Sequence, residues 1–90
     1  MKLTWDERKR QATLADRGLD FADAGVVFAG RNMTWHDERY DYGEQRFITV
    51  GWLQGRFVLL AWTPRDDSRR IISMRYGHGQ EEERYQNRVD

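Results

Sequence analysis

Polar and apolar residues alternate over residues 2–5, Lys-Leu-Thr-Trp, which predicts a short first strand. Asp6 then stands where a helix N-cap belongs, and Glu7 follows at the positive end. From Glu7 to Arg17 there is neither Gly nor Pro, and Gly18 closes the segment. Its apolar stripe is thin, only Ala12, Leu14 and Ala15. That predicts a surface helix burying one narrow side. Asp20, with Asp23 three residues on, opens a second helix. In it Phe21, Ala24, Val27 and Phe28 follow helical spacing and make a core face, ending near Ala29-Gly30.

Residues 30–44 read as a polar connection, with an edge strand around Met33 to Trp35. Beyond it the period changes to two. Residues 46–53 are strand-like, Gln54-Gly55 is a hairpin turn, and residues 56–63 are apolar on both faces, as in the middle of a sheet. Pro64 is expected to end that strand, and residues 69–76 form the next. Alternation there puts Arg69, Ile71, Ser73 and Arg75 on one face and Arg70, Ile72 and Met74 on the other, with Ile72 and Met74 toward the core. Gly77 and Gly79 break the pattern. Glu81-Glu82-Glu83 suit the start of a last helix, with Tyr85 and Val89 on one side of it. The order predicts an α+β fold in one domain over residues 1–90. Its antiparallel sheet has three or four strands, with two N-terminal helices and one C-terminal helix gathered on one face. The other face is expected to be partly open.

Composition narrows the function classes. The chain has 90 residues, 15 Lys+Arg against 15 Asp+Glu, and no cysteine. Disulfides, thiolate metal sites and cysteine nucleophiles are therefore excluded. No apolar run approaches the ~20 residues that span a bilayer, and the N-terminus lacks a signal core, so a cytoplasmic protein is expected. The balanced charge is unevenly spread. Residues 1–44 hold seven basic and nine acidic side chains, net −2, and residues 45–79 hold six Arg against Asp66 and Asp67, net +4. Thirteen of the 15 cations are Arg, whose planar fork suits phosphate. The basic middle suggests a local polyanion site.

Each candidate group has two readings. Arg75 and Arg65, on and beside the last strand, make a phosphate cradle or act as surface charges that prevent wrong strand pairing. His78, between two glycines, is an acid–base group or a solvated loop residue. His36 is read as solvated. Tyr85 shares a helix face with Glu81 and stacks on a base, donates a proton, or anchors the helix. No phosphate loop, nucleophile elbow or metal-ligand spacing is present, so neither a metal nor a cofactor is expected.

Taken in order, several stretches resemble BrnT-family toxins: Trp5 to Lys9, Gly18 to Ala24, Val27-Phe28, Asp37-Glu38-Arg39, Tyr42 to Arg46, Gly55-Arg56, Thr63-Pro64-Arg65, Arg70 to Arg75, Glu81 and Tyr85. The resemblance implies a RelE-like fold and a ribonuclease toxin of a type II toxin–antitoxin module, which arrests translation. It further implies a BrnA-like ribbon–helix–helix antitoxin as partner, in a heterotetramer that contacts operator DNA only through the antitoxin. Carried over by position, Arg65, Arg75, Glu81 and Tyr85 would serve the site, with His78 added from this sequence. The first helix departs from the family pattern. It ends in Asp16-Arg17-Gly18 where Lys-His-Gly is usual.

Two function hypotheses follow. The first is a metal-independent endoribonuclease that uses the RNA 2′-hydroxyl as nucleophile. The second is a non-catalytic protein-binding module, or a degenerate toxin acting only as operon co-repressor, with the tryptophans and tyrosines as its interface.

Overall fold

The Asp6 carboxylate accepts hydrogen bonds from the Arg8 and Lys9 amides and so starts the first helix. The computed structural model describes residues 2–88, and the expected partnership of Tyr85 with Val89 lies outside them. The elements in chain order are β1 (Lys2–Trp5), α1 (Glu7–Arg17), a 3-10 turn (Phe21–Asp23), α2 (Ala24–Ala29), β2 (Asn32–His36), β3 (Phe47–Leu53), β4 (Arg56–Arg65), β5 (Ser68–Tyr76) and α3 (Gly79–Gln86). Gly18 ends α1 at φ 70°, the left-handed conformation that glycine adopts without penalty.

The five strands form one sheet in the order β1-β5-β4-β3-β2. β1 runs parallel to β5 and the other pairings are antiparallel. The expectation of three or four antiparallel strands is thus corrected to a mixed sheet of five, within the same α+β class. The apolar-on-both-faces segment, β4, is its central strand. It runs on through Pro64 to Arg65, past its expected end. β3 begins opposite Trp62, so at Pro64 the strand has one neighbour only. A strand with one free side tolerates a residue that donates no ladder bond.

One face of the sheet carries the main core. Leu19, Phe21, Ala24 and Val27 pack on Val58, Leu60, Trp62, Ile71 and Met74. Fully burying a side chain such as Phe21 or Leu60 contributes about 1.5–3 kcal/mol. α2 lies close to the sheet at Gly51, where a Cβ would come within 2.8 Å of Val27 Cγ1 and 2.9 Å of the Arg31 carbonyl oxygen. By contrast α1 buries none of its residues. Polar bonds hold it: Arg10 grips Asp20 through Nε and Nη2 at 2.8 and 3.0 Å, and Arg17 donates to the Met74 carbonyl at 2.8 Å.

The register steps from Ala61↔Ser73 to Trp62↔Ile71, so Ile72 is an extra residue on β5. This bulge reverses the side-chain alternation below it. Ile71 joins Met74 in the core, at 1% and 0% exposure, and Ile72 does not take the core place expected for it. Arg69 turns to the same side and lies over the rings of Phe28 and Trp62 at 4.0 and 5.0 Å.

The second face is not left open at one end, and the helices are not all gathered on one side. α3 covers it through Tyr85, which packs on a smaller cluster around Val50 and Phe57. Trp52 Nε1 donates to Glu82 at 2.9 Å and ties the same helix down.

Candidate active site

The part of the second face that α3 leaves uncovered is a cleft of about 400 Å³. Its floor is Ile48, Leu59, Ala61, Ser73 and Arg75, all from β3 to β5. Glu81, Arg84 and Tyr85 of α3 form one wall. Trp35 and His36 at the end of β2, with Asp37, Glu38 and Arg39 just beyond, form the other.

Arg75 reaches the cleft because it is one of the β5 residues above the bulge that point away from the main core. Its Nη1 and Nη2 donate to Glu81 Oε1 and Oε2, each at 2.9 Å, and Nη1 also reaches the Tyr76 carbonyl at 3.3 Å. Glu81 is the third residue of α3, so its carboxylate also accepts from the His78 amide at 2.9 Å. The Arg75 fork, and then the His78 amide, hold the Glu81 pKa down at about 2. Glu81 in turn raises that of Arg75. The Arg75 side chain stays 43% exposed.

A second guanidinium is held in the same way across the cleft. Asp37, nearly sealed from solvent, accepts Nε and Nη2 of Arg39 at 2.9 and 3.0 Å. The Arg39 amide and the Tyr42 hydroxyl complete its shell at 3.3 and 3.2 Å. These bonds, that of the Arg39 side chain first, bring the Asp37 pKa down to about 2 against its burial. Arg39 is itself exposed and near enough to Arg75 to oppose its charged form.

Tyr85 stacks on Trp35 with ring centroids 5.0 Å apart and planes 19° apart, and lies 6.4 Å from the near-parallel ring of Phe57. The stack makes it an anchor for α3. Its hydroxyl has no hydrogen-bond partner among the described residues, and its ring lines the cleft.

Of the five residues singled out from the sequence, the structure brings Arg75, Glu81 and Tyr85 together. Arg65 is elsewhere, at the far end of β4, where it donates to Glu44 at 2.9 Å. Arg75 pairs with Leu59, six residues back along β4, so the two arginines are separated by roughly 20 Å of strand. His78 is exposed, precedes α3, and serves it through its backbone amide. Sequence reasoning overlooked Asp37 and Arg39, while His36 is exposed, as expected, at the edge of the cleft. The one signal for the overlooked pair was Asp37-Glu38-Arg39 with Tyr42 inside a segment otherwise read as a connection.

Among the described residues, no three His, Cys, Asp or Glu side chains are grouped so as to hold a metal ion. No helix there is long and apolar enough to cross a membrane. A comparison with curated protein sequences returns no match. A family model, described as ribonuclease toxin, BrnT, of type II toxin–antitoxin system, matches residues 5–81. That span takes in β2 to β5 with only the last residue of β1, and reaches Arg39, Arg75 and Glu81, while Tyr85 falls beyond it. With most of its length matched, the chain belongs to the BrnT family of ribonuclease toxins of type II toxin–antitoxin systems.

Proposed function

We propose that this chain is a metal-independent endoribonuclease whose reaction takes place in the cleft between α3 and the end of β2. The observation that supports it is Arg75, fixed by two bonds to Glu81 and still partly open to a cleft also lined by Tyr85, whose hydroxyl has no partner among the described residues. RNA brings its own nucleophile. Attack of the 2′-oxygen forms a new O2′–P bond and breaks the P–O5′ bond. The products are a 2′,3′-cyclic phosphate and a 5′-hydroxyl. The 2′-hydroxyl gives its proton to solvent water and the 5′-oxygen gains one from the protein, which must also align the atoms and stabilise phosphoryl charge.

Arg75 stabilises that charge. Glu81 holds Arg75 in place, since a carboxylate with a pKa of about 2 is a weak base at neutral pH. Tyr85 supplies the hydrogen bond, and the proton, that the leaving oxygen requires. His78 supports Glu81 through its amide and takes no part in proton transfer.

The same reading assigns the chain a ribbon–helix–helix antitoxin of BrnA type, joined in a heterotetramer that represses its own operon. It places the protein in the cytoplasm, where RNA cleavage arrests translation. A second reading, a non-catalytic co-repressor, has one observation in its favour: two of the three guanidinium groups lining the cleft, those of Arg39 and Arg75, already hold carboxylates.

Purified protein incubated with single-stranded RNA in EDTA decides between them. Cleavage to cyclic-phosphate ends supports the nuclease. Intact RNA, both in this assay and in cells expressing the chain, supports the co-repressor.

A further inference from the structure

We propose that Arg39, from the segment after β2, is the second guanidinium that contacts the scissile phosphate, and that Asp37 is its positioning residue. The inference rests on the nuclease reading above and deepens it. Arg75 on the floor and Arg84 on the α3 wall both approach from one side, and a phosphodiester whose two non-bridging oxygens gain charge in the transition state is best held by a cation from the opposite wall as well. The roughly 20 Å of strand between Arg65 and Arg75 removes Arg65 from that role. Arg39 has the required place: it lines the cleft from the wall opposite Glu81, and its charge is felt at Arg75.

Its preparation is also right for the task. Asp37 keeps only 6% of its surface exposed, and its carboxylate accepts Nε and Nη2 of Arg39. The remaining Nη1 has no partner among the described residues. Tyr42 and the Arg39 amide occupy other acceptor positions of Asp37, so the carboxylate has little freedom to swing away. An exposed arginine would ordinarily sample many rotamers. This one is held by a fork-to-fork pair with a fixed, sheltered anchor, so little ordering remains when an anion arrives. Of the three guanidinium groups lining the cleft, those of Arg39 and Arg75 are each held from behind by a carboxylate of their own.

The test uses the purified chain and an mRNA of mixed sequence, supplied free and on ribosomes, with cleavage rate per folded molecule as the readout. Arg39→Ala, made together with Asp37→Asn so that no orphan carboxylate is left buried, is expected to lower the rate about a hundredfold. Arg39→Lys keeps the charge but loses the fork, and is expected to fall in between. Sulfur in place of one non-bridging oxygen at the scissile phosphate distinguishes contact from mere support: its penalty in the parent protein should shrink once Arg39 is gone. Parent activity with an unchanged rate or an unchanged sulfur penalty in the folded Arg39 variants overturns the inference alone. No cleavage by the parent chain on either RNA overturns the nuclease reading and this inference with it.

Discussion

Arg75 and Glu81 face each other through two parallel hydrogen bonds of 2.9 Å, one from each terminal nitrogen to each carboxylate oxygen. The pair joins the central part of the sheet to the last helix, so it carries both architecture and charge placement. Arg75→Ala is expected to lower RNA cleavage about a hundredfold while the chain stays folded, because the lost side chain is partly exposed. Circular dichroism and a cleavage assay on the same preparation check both halves. A folded variant with full activity would remove Arg75 from the mechanism.

The same bonds make stability depend on acid. Glu81 and Asp37 both ionise at about 2 in the folded chain, against ordinary values of 4.5 and 3.8. A depressed folded pKa contributes stability that is complete above the unfolded value and is lost as pH falls toward the folded one. The melting temperature should therefore decline between about pH 4.5 and pH 2 on their account. In Glu81→Gln the decline should be shallower. An identical acid limb in both proteins would show that the Arg75–Glu81 pair contributes nothing to it.

Tyr85 is placed to do two things, and two substitutions separate them. Tyr85→Phe keeps the stack on Trp35 and loses only the hydroxyl, so cleavage should fall at least about tenfold with an unchanged melting temperature. Tyr85→Leu removes the stack as well and should cost about 1 kcal/mol of stability beyond the area lost. Equal activity of Tyr85→Phe and the parent would leave the residue as an anchor alone.

Arg65 serves as the contrasting case. Its guanidinium meets Glu44 at the far end of the sheet, and the side chain is 53% exposed. Arg65→Ala is expected to leave both the cleavage rate and the melting temperature close to those of the parent. Exposed ion pairs of this kind contribute about 0–1 kcal/mol. A large loss of activity in a folded Arg65→Ala would mean that substrate extends along the sheet to that end.

Gly77 marks where the chain turns from β5 toward α3. A Cβ there would run into the Phe57 ring and come within 2.9 Å of Leu59 Cδ1. Gly77→Ala is expected to destabilise the protein by about 1–3 kcal/mol, read as a lowered midpoint in urea unfolding. An unchanged midpoint would show that Phe57 yields at no cost.

Local signals made much of the fold readable. Asp6 and Gly18 bracket α1, and Gln54-Gly55, both at positive φ, joins β3 to β4. What escaped depends on partners distant in sequence. Nothing in residues 2–5 announces that they lie parallel to Ser68–Ile71, and nothing in Ile71-Ile72 announces which isoleucine the bulge excludes from the ladder. The site was legible on the β5–α3 side because Arg75, Glu81 and Tyr85 follow one another along two regular elements. Arg39 was not legible, because its segment lacks a regular period and its role emerges only when β2 places it across from α3.

β1 is the first strand of the sheet and its neighbour, β5, is the last. During synthesis the opening strand emerges long before anything exists for it to pair with. A ribosome that stalls short of Ser68 releases a fragment with no closing strand, no Arg75 and no third helix. The cleft therefore takes shape only once β5 and α3 have both joined the strands made before them.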